Sequence, residues 1–597
     1  MVRVSDYILQ RLEQWGVEHV FLLTGGGAMF LNDSIARSNL RAICNHHEQA
    51  CAMAAEGYAR VSGKPGVINV TTGPGGINAL NGVFGAWTDS VPMLILSGQV
   101  KRETCMSTYD IPGLRQLGDQ EVDIIRMAKG ITKYAEMVTD PRCIRYHLEK
   151  AWFLASAGRP GPCWLDIPID VQSSMVDETT LAPYDCTADA PVWNADEVAK
   201  ACRRVIARIE ASERPVVMAG SGVRISGSID LFQEVAEKLG IPVTTAWTHD
   251  IIATDHPLFC GRPGTIGDRA GNFTVQNADT LLVLGSRLNI RQVSYNWKAF
   301  ARCAYKIQVD ADAAELDKPT VRADLPIHCD VRVFLEELNR QLDGKTSRHS
   351  GWLRWCKQRQ ARYSVLDGKT SSGQLLNPYL FVDELYRQLA SDDVVVCGNA
   401  TACIVTYQTA RIQKGQRLIS NSGAASMGHD LPTAIGAAVA RDGGRVVCLA
   451  GDGSLQLNIQ ELQTLAHHCW PVKLFVLNNN GYLSIRTTQE SFFQKMLGES
   501  SASGVSFPNI VKLAKAYGLP AMTVDASNHA DGIRTALSTP GPMVCEVLLD
   551  SAQRFEPRLA SRRLPDGRMY SPPLEDMFPF LDREEFAENL LIPAMDV

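Results

Sequence analysis

Residues 445 to 481 run RVVCLAGDGSLQLNIQELQTLAHHCWPVKLFVLNNNG. An apolar run, RVVCLA, ends in Gly451-Asp452-Gly453. A helical stretch, NIQELQTLAHHC (458 to 469), follows, and a second apolar run, VKLFVL, ends in Asn478-Asn479-Asn480-Gly481. Short apolar runs joined through an amphipathic helix read as neighbouring parallel strands with a crossover. Asp452 and Asn479 then stand together at the carboxyl ends of two strands, where open α/β sheets bind ligands. An Asp carboxylate, an Asn side-chain carbonyl and the backbone carbonyl of Gly481 make an all-oxygen set. Such a set suits a hard cation, Mg²⁺, that keeps other positions for phosphate oxygens and water. Two glycines around an Asp also make an ordinary tight turn. The specific feature is the combination, with 24 residues between Gly453 and Asn478 and a second strand ending in Asn-Asn.

Outward from this unit the same alternation recurs. VEHVFLL (17 to 23), PGVINVT (65 to 71), VPMLILSG (91 to 98) and CWLDIPI (163 to 169) form a first series. RPVVMAG (214 to 220), IPVTT (241 to 245), DTLLVLG (279 to 285) and YKIQVD (305 to 310) form a second, followed by a helical, charged region over about 332 to 370. DVVVCG (393 to 398) and PMVCEVLLD (542 to 550) complete the third. The fold class is α/β, with three doubly wound parallel-sheet domains. Their expected spans are 1–175, 193–345 and 371–555, with a polar linker over 173 to 192 and a Pro-rich C-terminal tail or lid over 556–597.

Composition excludes several classes of function. Apolar residues at 45% and charged residues at 21% describe a chain that folds. The net charge of -6 leaves no basic excess for a phosphate backbone, so nucleic acid is not an expected partner. Sixteen Cys without a C-x-x-C pair disfavour disulfide frameworks and zinc ribbons. No apolar run approaches the roughly 20 residues that span a bilayer. A reduced, cytoplasmic protein with no membrane partner is expected.

With G-D-G and N-N so spaced, the chain resembles the thiamine diphosphate (ThDP) enzymes of the acetolactate synthase and pyruvate decarboxylase family over nearly its whole length. NHHEQACAMAAEGYAR (45 to 60) resembles the family segment carrying the catalytic glutamate, which falls on Glu48. TTGPGGINALNG (71 to 82) and GRPGPCWLDIPIDV (158 to 171) resemble acetolactate synthase segments, and SNSGAASMGHDLPTAIGAA (420 to 438) resembles the segment gripping the aminopyrimidine. The resemblance implies pyrimidine-binding, central and diphosphate-binding domains in that order. It implies ThDP and Mg²⁺ as cofactors, with Asp452, Asn479 and Gly481 as metal ligands. Cofactor contacts are implied at Gly26, Gly73, Ala425, Met427, Gly451, Gly453, Ser454, Asn479 and Tyr482, Met427 being the apolar wedge that bends the cofactor. Glu48 and Gln120 are the implied catalytic residues. The Glu48 carboxyl pairs with the ring nitrogen N1′ so that the cofactor's 4′-amino group can act as base. A solvated helix carboxylate is the usual fate of Glu, but the small apolar run Ala50 to Ala55 disfavours it here. HHEQAC is not H-E-x-x-H, since Cys51 stands fifth. The resemblance also implies sites shared between chains, hence a homodimer or homotetramer.

Donor and acceptor follow from where the chain departs from the family. The cofactor implies a 2-oxo acid donor, with pyruvate the default, and loss of CO₂. The synthase's F-Q-E aligns with Asp119-Gln120-Glu121, and its acceptor-facing Met and Trp align with Ser484 and Thr488. With His429 and Asp430 these imply a larger, more polar acceptor pocket, suited to a polyhydroxylated ketone such as a nucleotide-linked keto-sugar. Acetolactate synthase proper, a simple 2-oxo acid decarboxylase and a non-catalytic scaffold are the alternatives. In the central domain RLNIRQVS (287 to 294) resembles the synthase's flavin segment, keeping Arg287 and Arg291, so FAD is expected there in a structural role.

Overall fold

The computed structural model describes residues 1–595 apart from 110, 248, 249, 345–347 and 494, so the expected end of the central domain at 345 lies outside the described residues. The first sheet holds β1 (His19–Leu22), β2 (Arg41–Cys44), β3 (Gly66–Val70), β4 (Met93–Gln99), β5 (Tyr134–Met137) and β6 (Pro162–Pro168), in spatial order β2-β1-β3-β4-β6-β5. The central sheet holds β7 (Pro215–Ala219), β8 (Val243–Thr245), β9 (Thr280–Leu284), β10 (Tyr305–Asp310) and β11 (Leu325–His328), in order β8-β7-β9-β10-β11. The third holds β12 (Val394–Cys397), β13 (Arg417–Ser420), β14 (Val446–Gly451), β15 (Val472–Asn478), β16 (Ala521–Val524) and β17 (Met543–Leu548), in order β13-β12-β14-β15-β17-β16. All pairings within these sheets are parallel. Inner strands such as β3, β9 and β12 are buried along their whole length, as sheets covered on both faces require.

One topology recurs three times. In each sheet the second strand lies on one side of the first and the third strand returns to its other side. That reversal opens a crevice at the carboxyl ends of β1 and β3, of β7 and β9, and of β12 and β14.

The helices that matter for these crevices are α1 (Glu48–Ser62), α2 (Pro74–Thr88), α3 (Arg269–Gln276), α4 (Thr401–Thr409), α5 (Asp430–Ala440) and α6 (Leu483–Phe492). The small residues of α1 and α5 let first and third domains meet backbone to backbone. A Cβ on Gly436 would overlap the Ala54 carbonyl, and one on Gly57 the Thr433 carbonyl. Thr433 Oγ1 also donates to the Met53 carbonyl (3.1 Å).

Much of the tail lies on the central domain. Side chains of Asn272 and Gln276 on α3 donate to the Leu574 carbonyl (2.8 Å) and to Glu575 (2.6 Å). Asn277 donates to the Asn589 carbonyl (2.9 Å), and Arg302 pairs with Glu575 (2.7 Å). Among the described residues no helix is long and apolar enough to cross a membrane.

Candidate active site

The crevice of the third domain is built by glycines. β14 runs to Gly451 and winds at once into a single helical turn, Asp452–Leu455, then a 3₁₀ turn and the helix Glu461–His468. The helical stretch expected over 458–469 is the helix Glu461–His468, and the winding before it starts at the strand end itself. Asp452 is 3% exposed, and its oxygens accept the backbone N–H groups of Gly453 (2.8 Å) and Gly481 (2.9 Å). Burial pushes the carboxyl up to about 6, outweighing those two bonds and the charge of Arg486. Asn479 donates Nδ2 to Thr401 Oγ1 (2.9 Å), while its Oδ1 is buried without a hydrogen-bond partner. An orphaned buried acceptor costs about 1–3 kcal/mol. An under-compensated carboxylate beside an unanswered amide oxygen fits a divalent cation, with the carbonyl of Gly481 as the third donor. Gly481 takes φ 136°, and a Cβ on Gly453 would overlap the Tyr482 ring, so both positions require glycine.

Across the crevice, residues 425 to 428 form a turn with two left-handed positions, Ala425 (φ 53°) and Gly428 (φ 78°). Ser454 locks it: its Oγ accepts the Gly428 N–H (2.9 Å) and donates to Asp430 Oδ2 (2.6 Å). The hydroxyl expected to touch cofactor is therefore committed inside the protein. Asn458 donates to the Gly428 carbonyl (2.7 Å). The Ala425 carbonyl accepts from Asn399 Nδ2 (3.1 Å), and Met427 is half-buried beside it.

His429 and Asp430 require a correction. Both are 0% exposed and line no open acceptor pocket. α5 begins at Asp430 and is buried through Val439, which turns the pair inward. His429 Nε2 lies 3.3 Å from Glu56 Oε2, and Arg60 pairs with the same carboxylate (2.7 Å). Burial alone would raise Glu56, but the His429 and Arg60 charges prevail and bring it down to about 2. Burial also raises Asp430, against the bond from Ser454.

The crevice of the first domain gathers three expected residues. Glu48 opens α1, is 6% exposed, and accepts from Asn78 Nδ2 at 3.0 Å. Its Oε1 faces Gly75, where a Cβ would stand 3.3 Å away. Gly73 caps α2 at φ 60°, and a Cβ there would overlap the Gln120 carbonyl. Gly26 has open space where a Cβ would project. Asp119 and Gln120 are exposed, as is Thr488, while Ser484 is half-buried.

In the central domain Arg287 lines a crevice with Ser221, Ser286, Trp247 and Gly423, its Nη2 3.8 Å from Asp89 Oδ1. Arg291 is exposed and outside that lining. Sequence reasoning missed Asn399, Thr401 and Glu56, as well as Arg486 and Glu499, which bond to each other and to the turn at 480–482. Asn399 and Thr401 follow an evident strand, DVVVCG, at the topological reversal, a signal that was there to be used. The others leave no local pattern.

Comparison with known proteins agrees with this geometry. Residues 2–127 match the N-terminal TPP binding domain of thiamine pyrophosphate enzymes, 202–338 their central domain and 398–547 their C-terminal TPP binding domain. The chain is 32% identical over 574 residues to "Acetolactate synthase 1, chloroplastic" of Zea mays, covering 93% of this chain and 87% of the relative. It is 31% identical over 563 residues to the "Acetolactate synthase large subunit" of Lactococcus lactis subsp. lactis, covering 93% and 94%.

Proposed function

The chain belongs to the thiamine pyrophosphate enzymes, in their acetolactate synthase-like branch, and from that premise we propose that it passes a two-carbon unit from pyruvate to a polyhydroxylated ketone such as a nucleotide-linked keto-sugar. Bound ThDP supplies the electron sink for loss of CO₂ from a 2-oxo acid. Asp452, the orphaned Oδ1 of Asn479 and the Gly481 carbonyl would hold Mg²⁺ for the diphosphate; this oxygen set is the observation that carries the reading. Asn78 fixes the rotation of the Glu48 carboxyl, which holds the proton shared with the pyrimidine nitrogen. Met427 would wedge beneath the cofactor, its turn held by the Ser454–Gly428 bond.

With His429 and Asp430 withdrawn, the polar acceptor rests on Asp119, Ser484 and Thr488. We place FAD in the central crevice beside Arg287. Ile77, Phe84 and Trp87 are more than a third exposed along α2, an apolar stripe that supports a homodimer or homotetramer with sites between chains. Identity to acetolactate synthases favours a second reading, in which the acceptor is itself pyruvate. Mass analysis of products from pyruvate, with and without keto-sugar acceptors at defined ThDP and Mg²⁺, decides. A branched product formed only with the sugar is expected. Rapid acetolactate formation from pyruvate alone overturns the sugar acceptor, and free aldehyde alone overturns carboligation.

A further inference from the structure

The metal turn reverses direction through two successive left-handed residues, Asn480 (φ 56°) and Gly481 (φ 136°). Asn tolerates this conformation better than other residues with a Cβ, and the turn has, besides, an outside hold. Arg486, in the first turn of α6, supplies it. Its Nη2 donates to the Asn480 carbonyl (2.9 Å) and its Nε to Glu499 Oε2 (2.6 Å). Glu499 grips from the other side: its backbone carbonyl accepts the Tyr482 N–H (2.8 Å). The Glu499 carboxylate is itself fixed, since Oε1 accepts from Ser500 Oγ (2.6 Å) and Ser503 Oγ (3.3 Å). Gly481 lies between the two grips. A Cβ there would overlap the Glu499 carbonyl and stand 3.0 Å from Arg486 Nη2. The ion pair is largely buried, with side chains 13% and 6% exposed. A pair so placed is a poor source of stability, because desolvation offsets its attraction. A guanidinium that bonds a carbonyl and a carboxylate at once instead fixes geometry.

We propose that Arg486 and Glu499 are a positioning pair for the divalent cation, holding the Gly481 carbonyl and the Asn479 amide at the spacing the metal requires. The inference rests on the reading of Asp452, Asn479 and Gly481 as the Mg²⁺ site. Outer-shell partners of metal ligands typically carry 10–100-fold in metal affinity.

The test is calorimetric titration of Mg²⁺ into metal-stripped full-length protein at fixed, saturating ThDP, with melting temperatures of the metal-free proteins taken alongside. R486A is expected to raise the Mg²⁺ needed for half-saturation about 10–100-fold and, by leaving the Glu499 carboxylate buried without its cation, to lower the metal-free melting temperature as well. R486K keeps the charge but reaches fewer partners, and falls between. R554A removes the ion pair to Glu490 on the same helix without touching the metal turn, and binds Mg²⁺ as wild type does. If R486A fails to fold, E499Q, which preserves shape and removes the charge, carries the test with a loss of roughly tenfold. Half-saturation within twofold of wild type overturns the proposal, as does an equal loss in R554A. A wild-type protein that binds no Mg²⁺ with ThDP overturns both the proposal and the site reading.

Discussion

The crevices of the third and central domains share one topology and differ in what lines them. Both open where the chain reverses its strand order, and both are bounded by glycine-rich strand ends. In the third domain the lining oxygens are unanswered: Asn479 Oδ1 has no partner, and Asp452 is more desolvated than compensated. At the central crevice the cations are already answered, the first domain's Arg60 by Asp89 at 2.8 Å and Arg287 near the same carboxylate at 3.8 Å. Topology decides where a ligand can sit, and the balance of unanswered charge decides what kind. A crevice short of positive charge calls for a metal; one whose charges are met internally can stand empty. The first should therefore be indispensable to turnover and the second dispensable.

The largest effect is expected at neither crevice but at Glu48, the carboxyl proposed to face the cofactor. E48Q should lower CO₂ release by roughly 10²–10⁴-fold while ThDP and Mg²⁺ still bind, as steady-state rates and calorimetry would show. Undiminished turnover removes Glu48 from the mechanism. The paired comparison comes next. D452N should cut turnover at limiting Mg²⁺ by more than about 100-fold, beyond the range of outer-shell partners. R287M should leave turnover within about threefold, since its loss unbalances nothing the metal site needs, while any yellow flavin absorbance in the purified protein falls. If R287M abolishes turnover and D452N does not, the contrast between the two crevices is inverted.

A smaller steric effect sharpens the account of why glycine stands in the third crevice. A Cβ at 453 meets the Tyr482 ring, which is itself held edge-on against Phe507 at 5.4 Å. G453A should destabilise by about 1–3 kcal/mol, and trimming the ring in G453A/Y482A should recover part of that loss in thermal melts.

What could be read from sequence follows burial. The strands recognised from their apolar runs are mostly interior ones, covered on both faces. In the three large sheets the five that were not, Arg41–Cys44, Tyr134–Met137, Leu325–His328, Arg417–Ser420 and Ala521–Val524, all lie at sheet edges. An edge strand lacks one neighbour and meets water along part of its length, so its residues are mixed and the run is short. The metal set was legible because glycines at fixed spacing punctuate it. The Arg486–Glu499 pair was not, since it closes across an irregular segment and leaves no period. His429 and Asp430 were misassigned because polarity was taken for access, although a buried charge is tolerated when paired.

That pairing also joins the two crevices. Arg60 bonds Glu56 beneath the 425–428 turn and Asp89 beside the central crevice, so one buried carboxylate network answers cations on both sides. Burial raises Glu56, the His429 and Arg60 charges overcome it, and the folded carboxyl lies at about 2 against an ordinary 4.5. A depressed carboxyl contributes stability that is complete above the unfolded value and is lost as pH falls from about 4.5 toward 2. Between pH 5 and 3.5 roughly one unit of that difference is expended, about 1.4 kcal/mol, or about 3–6 °C in melting temperature for a domain of this size. E56Q carries no proton to gain, so its melting temperature should fall less than wild type's over that interval, by that margin. A parallel fall in both proteins would mean that Glu56 is not held below its ordinary value, and that the carboxylates answering the two crevices are not one network.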